Sequence, residues 1–204
     1  MADLAQTPEL LIGFPESEFV DVRAVDDRRW DVLAAIDYQA KRDRYTVPRG
    51  ERTDFASVPR PFVWFIPTYG RYTKAAILHD HLCRLAREGA FNRRDADGVF
   101  RQAMRTLGVP FLRRWIMWAA VRWGALGTVE GRRDWIADAW LVLPITLVVL
   151  PLVAPSALLI IATLGVWYLA EWLTWVPLAL VRYGLAQRGM RAKRVNPPEF
   201  GLRL

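Results

Sequence analysis

The stretch KAAILHDHLCRLAREGAFNRRDADGVFRQAMRTLGVP, residues 74–110, predicts two helices joined by a short turn. The first helix is expected over 73–88, because its apolar side chains recur at helical spacing on one face. These side chains are Ala75, Leu78, Leu82, Leu85 and Ala86. The second helix begins after Asn92, a favourable N-cap, and carries an apolar stripe that ends at Gly108. Because the connection is short, we expect the two helices to be antiparallel neighbours.

The sequence on either side of this helix pair predicts an α+β fold. Residues 18–48 contain short alternating and β-branched runs, and a Pro-Arg-Gly turn follows at 48–50. Residues 111–126 predict a third helix, Trp-rich and basic, of the kind that lies at a membrane surface. We therefore expect a small N-terminal β-rich part packed on an antiparallel helix pair, followed by an apolar C-terminal membrane hairpin.

The apolar C-terminal segment is the basis for the hairpin. No charged residue occurs from Ala139 to Ala170, and the apolar run then extends to Val181. A helix of this length, about 43 residues or ~65 Å, is twice as long as the ~30 Å apolar core of a bilayer. Pro151 and Pro155 lie near its middle, and both flanks are basic, which favours two crossings with both ends on one side. A single span and a buried core hairpin are the alternatives.

Composition and patterning divide the chain into five predicted parts. They are an N-terminal extension (1–17), an α+β domain (18–127), a basic linker (128–138), a membrane-inserting hairpin (139–181) and a basic tail (182–204). The first residues are acidic, unlike a secretory signal, and a single cysteine requires no oxidising compartment. The formal net charge of +7 suits anionic lipid head groups, so membrane lipid is the expected partner.

Both histidines of the chain flank one aspartate in the first predicted helix. His79 lies at the edge of the apolar face, and Asp97 lies at the edge of the stripe on the second helix, so packing of the two faces would bring them together. A carboxylate there would orient the imidazole and support general-base catalysis. Asp80, one residue along, would hold a cation. The competing interpretation makes His79 a boundary residue and pairs Asp80 with Arg84 on the surface.

Other arrangements use the same histidines. His79, His81 and Cys83 would share a face in a strand and form a zinc site, but the flanking leucines favour a helix. Ser57, His79 and Asp97 have the composition of a catalytic triad. ASVPR has no nucleophile-elbow pattern, however, and Ser57 fits a turn hydrogen bond better. A phosphohydrolase of the HD type would need another upstream histidine, which the sequence lacks.

Three motifs, in order, resemble a phage and prophage family known as domain of unknown function 1353: YTVPRGERTDFASVPR, GRYTKAAILHDHLCR and NRRDADGVFRQAMRTLGVP. The resemblance covers about residues 30–125 and stops before the apolar tail. The matching residues are Thr53, Asp54, Ser57, Pro59, Arg60, His79, Asp80 and Asp97. Phe55 replaces the usual small residue, and HDHLC replaces the more usual H-D-Y-L-Y. The resemblance implies a phage origin and supplies no reaction.

The helix pair is also loosely similar to phospholipase A2 enzymes, which carry His-Asp on one helix and an aspartate on an antiparallel helix. In those enzymes the histidine activates water and the neighbouring aspartate holds Ca²⁺. LHDHLC followed by DADGVF is similar to that pairing, although their glycine-rich calcium loop is not evident. The similarity implies that His79 and Asp97 are catalytic and that Asp80 holds Ca²⁺ or another divalent metal. We expect Asp54, which matches the motif of the first family, to be a second metal ligand. The residues expected to support the site are Thr53, Ser57, Arg60 and Arg94.

We therefore expect a phage-type, membrane-tethered protein with a His–Asp site, a hydrolase acting at the envelope with phospholipid esters as the favoured substrate. The alternative is a non-enzymatic phage membrane protein that acts in infection, exclusion or assembly. The soluble domain is expected on the cytoplasmic side of a bacterial host or delivered by a virion, with other phage proteins as further partners. Nucleic acid is not expected as a partner, because the arginines are scattered around two helices without a recognised motif.

Overall fold

The computed structural model describes residues 12–15, 19–188 and 196–198. The strands are β1 Val22–Ala24, β2 Trp30–Val32, β3 Ile36–Gln39, β4 Arg44–Val47 and β5 Arg52–Thr53, and the helices are α1 Thr73–Arg87, α2 Arg93–Thr106, α3 Phe111–Ala125 and α4 Val129–Gln187. A short 3-10 helix, Arg60–Phe62, lies between β5 and α1. The described residues of Met1–Ser57 and Pro67–Leu150 form one compact unit, and those of Val58–Ile66 and Pro151–Leu204 form a second. The predicted α+β class is confirmed.

The strands form two small antiparallel sheets. In the first, β2 lies between β1 and β5, so that Trp30 pairs with both Ala24 and Thr53. In the second, β3 and β4 pair as a hairpin that places Tyr38 opposite Tyr45. Both β4 and β5 pack against α1. This packing brings the loop that follows β5 beside the polar residues of that helix.

Helices α1 and α2 form where the periodicity predicts them, but α1 is buried on more than one face. The predicted apolar face is covered, and His79 and His81 are also buried, each with 8% of its surface exposed. The side-chain oxygen of Asn92 accepts hydrogen bonds from the backbone N–H groups of Arg94 and Asp95, at 2.7 and 3.3 Å. This geometry confirms the predicted N-cap of α2.

Helix α3 packs between α2 and the beginning of α4. An apolar cluster joins Trp118 and Ala119 of α3 to Val142 of α4. On the α2 side, the guanidinium of Arg101 lies 4.0 Å from the centre of the Trp115 ring, a cation–π contact. Two tryptophans of this predicted interfacial helix, Trp115 and Trp118, therefore pack inside the first unit.

The predicted hairpin is wrong, because α4 is one continuous helix of 59 residues. It has no turn at Pro151 or Pro155. A proline removes a backbone hydrogen bond without reversing the chain, and apolar helices tolerate that loss. The LVA sequence between these prolines offers no Gly, Asn or Asp for a tight connection. By length and composition alone, α4 is apolar enough to cross a membrane, with a mean hydropathy of 2.5 in its most apolar window.

The predicted segments around α4 also differ from the structure. The expected linker at 128–138 is helical from Val129 onward, because it forms the first turns of α4. The first residues of the expected tail at 182–204 continue the same helix as far as Gln187. The remainder of that tail and most of the N-terminal extension at 1–17 lie outside the described residues.

Candidate active site

The structure brings together the two side chains predicted as catalytic. Nε2 of His79, in α1, lies 2.7 Å from Oδ1 of Asp97, in α2. Asp97 is fully buried, and the ring of Phe100 packs against the His79 ring with their centres 4.7 Å apart. The contact follows from the sequence, since both residues border apolar faces that the short connection packs together. The competing interpretation placed His79 at the boundary between core and surface. With 8% of its surface exposed, His79 is buried more deeply than that interpretation predicts.

Two arginines also bind Asp97. Arg93 donates from Nε to Oδ1 at 3.2 Å from the preceding turn of α2, and the fully buried Arg122 of α3 donates from Nη1 to Oδ2 at 2.9 Å. Burial opposes ionisation of this carboxyl, but the hydrogen bond from His79, the charge of Arg93 and the hydrogen bond from Arg122 outweigh it and hold the pKa of Asp97 below its ordinary value. Asp97 is therefore a buried carboxylate anion whose charge is matched by cations.

The network continues from Arg122 into α4. Nε of Arg122 lies 3.1 Å from Oδ2 of Asp138. The same carboxylate accepts a forked hydrogen bond from Arg94 of α2, with Nη2 at 2.8 Å from Oδ1 and Nε at 3.1 Å from Oδ2. Arg94 was predicted to support the site. Its side chain binds Asp138, and none of the contacts described above joins it to Asp97 or His79. It supports the packing of α2 on α4 instead.

Cys83 lies one turn after His79 and approaches the same nitrogen, with Sγ 3.3 Å from Nε2. Burial raises the pKa of the Cys83 thiol to about 12, so the thiol is neutral at physiological pH. His79, Cys83 and Asp97 place three potential metal-ligand atoms within 4.8 Å of one another. Arg93 and Arg122 already neutralise Asp97, however, so a further cation would meet uncompensated positive charge. The arrangement favours an ion-paired carboxylate over a metal centre.

His81 belongs to a separate cluster. Its Nδ1 lies 3.2 Å from Oε2 of Glu51, a buried carboxylate in the turn before β5, and Nη2 of Arg84 donates to the same oxygen. The zinc site considered for His79, His81 and Cys83 is therefore not formed, because a helix turns His81 away from the other two. The surface pair of Asp80 with Arg84 is also wrong, since Arg84 binds Glu51.

The two predicted metal ligands, Asp54 in the loop after β5 and Asp80 in α1, lie beside each other. Asp80 is partly buried, and its Oδ2 accepts a hydrogen bond from Oγ1 of Thr53 at 2.5 Å. Burial, followed by the negative charge of Asp54, raises the pKa of Asp80 well above its ordinary value. Phe55, where the resembled family usually has a small residue, adopts a left-handed φ of 61° and donates its N–H to Oγ1 of Thr53 at 2.9 Å. The loop thus places the carboxyl of Asp54 beside that of Asp80.

The remaining predicted supporting residues are Ser57 and Arg60. Oγ of Ser57 donates to Oδ2 of Asp54 at 2.7 Å, which is the turn hydrogen bond expected for it and not the contact of a triad nucleophile with His79. Arg60 is exposed in the 3-10 helix, which belongs to the second compact unit, whereas His79 belongs to the first. Thr53 and Ser57 are therefore the supporting residues with direct contacts to the carboxyl pair.

Three charged residues of these clusters were not predicted: Glu51, Arg122 and Asp138. The pairing of Arg122 with a carboxylate could have been predicted from its sequence context, because it lies in a Trp-rich apolar helix where a buried cation needs a carboxylate. Asp138 immediately precedes the uncharged segment, so an ion-pair partner could have been expected for it as well. Glu51 lies in a turn, and nothing in its local sequence distinguishes it from a solvent-exposed acid.

Comparison with known proteins gives a family match over part of the chain and no activity. Residues 30–121 match the model of the family described as "Protein of unknown function (DUF1353)", which confirms the predicted resemblance over that range. The "Uncharacterized protein y4jT" of Sinorhizobium fredii (strain NBRC 101917 / NGR234) is 36% identical over 91 residues, which are 43% of this chain and 26% of that protein. The chain thus matches about a quarter of that relative's length. No solved structure matches.

The matched range includes β2 to β5, α1, α2 and most of α3, so it contains both His79 and Asp97. It ends before α4. The phage origin, the similarity to phospholipase A2 and any reaction remain predictions.

Proposed function

We propose that this protein is a membrane-anchored hydrolase in which His79 is the general base. The observation that carries the proposal is the 2.7 Å contact between Nε2 of His79 and Oδ1 of Asp97. Since Asp97 is an anion, the neutral imidazole donates the proton on Nε2, which leaves the lone pair on Nδ1. That tautomer is the one a general base requires when a carboxylate orients its other nitrogen.

The reaction that suits this dyad is hydrolysis of an ester. Nδ1 would accept a proton from a water molecule while the water oxygen attacks the ester carbonyl, and would then return that proton to the departing alkoxide. The buried Asp97 would stabilise the imidazolium formed between these steps. Arg93 and Arg122 would keep Asp97 ionised and fixed, at the cost of weakening its pull on the His79 proton.

A divalent cation fits the neighbouring carboxyl pair better than it fits Asp97. Asp80 and Asp54 supply oxygen ligands, which Ca²⁺ prefers. Burial and then the negative charge of Asp54 raise the pKa of Asp80, and a cation would compensate that charge. One oxygen of each carboxyl already accepts a hydroxyl proton, from Thr53 and from Ser57. A bound cation would use the remaining oxygens and would polarise the ester carbonyl.

The apolar helix α4 supports a location at a membrane and therefore a lipid substrate. We propose that α4 inserts in a bilayer and that phospholipid esters of the envelope are hydrolysed. The domain would lie on the cytoplasmic side of a bacterial host or be delivered by a virion. The test is ester release from vesicles that contain anionic phospholipid, with Ca²⁺, with Zn²⁺ and with EDTA. The proposal requires release by the full chain and its loss in Asp97→Asn, and no release above background in any condition would refute it.

A second candidate is a non-enzymatic membrane protein that acts in infection, exclusion or assembly. The observation that favours it is the number of arginines on one carboxylate, since Arg93 and Arg122 both bind Asp97. In this interpretation the polar network only fixes α1, α2, α3 and the first part of α4 together. Ester release by the full chain separates the two candidates, because replacing the buried, ion-paired Asp97 should cost stability in either case.

A further inference from the structure

The corner between α2 and α3 combines exposed apolar side chains with arginines. We call the surface formed by Arg71, Arg105, Phe111, Leu112, Arg113 and Arg114 the α2–α3 corner. Phe111 and Leu112 are the first residues of α3 and are 67% and 65% exposed, an unusual arrangement for two large apolar side chains in succession.

The backbone of the corner is held firmly, so the exposure of Phe111 and Leu112 is a feature of the fold. Gly108 ends α2 with a left-handed φ of 69°, which favours glycine. The next residue, Val109, is 2% exposed, and its N–H donates to the carbonyl of Met104 at 3.0 Å. With Val109 anchored inside, the chain can only direct Phe111 and Leu112 outward.

The charge of this surface is entirely positive. Between Asp97 and Glu130 the sequence contains no acid, and none occurs between Asp54 and Asp80. Nη1 of Arg71 reaches the carbonyl of Gly108 at 3.5 Å, which places its charge at the corner. Arg114 stacks on the Phe111 ring at 5.3 Å.

The arginines of the corner are available to an anionic partner. Within the part of the chain that the structure describes, Arg71, Arg105, Arg113 and Arg114 form no ion pair with a carboxylate. No capping side chain accepts hydrogen bonds from the first-turn N–H groups of α3, since Pro110 occupies the N-cap. Positive charge and open donors at one place suit phosphate groups.

We propose that the α2–α3 corner inserts Phe111 and Leu112 into an anionic phospholipid surface while its arginines bind the lipid phosphates. Apolar side chains ringed by arginine are the combination that interfacial lipid binding uses. A nucleic-acid backbone would use the arginines but would leave both apolar side chains in water. The proposal rests on the membrane location proposed above and is independent of whether the protein hydrolyses anything.

The test places a fluorescent label at the corner of the full chain. Leu112→Cys in a Cys83→Ser background carries an environment-sensitive dye. Asp27→Cys, in the exposed turn between β1 and β2, is the matched control, because this turn has two aspartates and two arginines and so no net charge. Both proteins are reconstituted in vesicles of phosphatidylcholine alone or of equal parts phosphatidylcholine and phosphatidylglycerol, with a nitroxide-labelled lipid as quencher. We expect severalfold stronger quenching at residue 112 than at residue 27 in the anionic vesicles.

Two further measurements test whether positive charge contributes to lipid binding at the corner. Arg105→Gln together with Arg113→Gln should reduce quenching at residue 112, as should added salt, because both weaken attraction to the phosphates. Equal quenching at residues 112 and 27, or equal quenching at residue 112 in the two lipid compositions, would overturn the proposal. So would salt-dependent retention of a DNA duplex without any lipid response. Ester release does not enter the readout, so failure of the hydrolase proposal and failure of this one are distinguishable.

Discussion

Asp97 joins three helices through one carboxylate: Oδ1 lies 2.7 Å from Nε2 of His79 in α1, and Oδ2 lies 2.9 Å from Nη1 of Arg122 in α3. The residue itself belongs to α2 and is fully buried. A charge removed from water in this way is retained only where its partners are in place. The same contact that would orient a catalytic histidine therefore also holds the helices together.

Neutralising Asp97 should destabilise the protein strongly if the network is structural. Asp97→Asn removes the anion that Arg93 binds and one of the two carboxylates that the buried Arg122 binds, and breaking a buried pair in this way costs about 3–5 kcal/mol of unfolding free energy. Asp95→Asn, at an exposed position of the same helix, should cost under about 1 kcal/mol. Thermal unfolding in detergent measures both. Equal stability of the two variants would contradict the structural contribution of the network.

The Asp80 carboxyl should make stability fall as the pH rises. Burial and Asp54 raise its pKa above 3.8 in the folded protein, so the folded state keeps a proton that the unfolded chain releases. The stability that this proton contributes is complete below the unfolded-state pKa and is lost as the pH rises through the folded-state pKa. Asp80→Asn should flatten the decline, which unfolding measured from about pH 4 to 8 would detect. An unchanged slope in Asp80→Asn would show that another group causes it.

Cys83 should be inert in the native protein. Its thiol is buried, its pKa is raised to about 12, and only the thiolate reacts. Alkylation at neutral pH should be slower than at an exposed thiol by on the order of a thousandfold. Mass spectrometry of the native chain, with Leu112→Cys in a Cys83→Ser background as the exposed reference, measures the ratio. Comparable rates would mean that α1 opens readily or that the thiol is activated.

The continuous α4 predicts a single crossing of the membrane. One helix that crosses once has its ends on opposite sides, so single cysteines at Arg133 and Gln187 should be labelled from opposite sides of sealed vesicles. The background again carries Cys83→Ser. Labelling of both positions from the same side would contradict a single crossing, and a chain that stays soluble without detergent would contradict insertion.

The helix pair and its central contact were predictable because both depend on local sequence. Apolar spacing determines which face of α1 and α2 is buried, and a short connection makes those faces meet, which is sufficient to pair His79 with Asp97. The N-cap at Asn92 is equally local. The carboxyl pair of Asp80 and Asp54 was named from a family motif and not from geometry, since β5 and α1 meet only in the folded domain.

The rest depended on tertiary packing. Arg84 was expected to pair with Asp80 at i,i+4 spacing, but Glu51 approaches from a turn far along the chain and binds Arg84 instead. The direction in which α3 buries Arg122 is likewise set by docking of whole helices. The hairpin was wrong for a local reason, because prolines in an apolar run were given the effect of a turn.

The most direct test of the central claim compares the two histidines of α1. His79→Gln and His81→Gln replace residues that are both 8% exposed on one helix, but only His79 contacts Asp97. Ester release from vesicles of phosphatidylcholine and phosphatidylglycerol is measured with Ca²⁺ for both variants and the unmodified chain. The account predicts that His79→Gln abolishes release while His81→Gln retains most of it. Equal release by the two variants, or release by no protein at all, would contradict a catalytic His79.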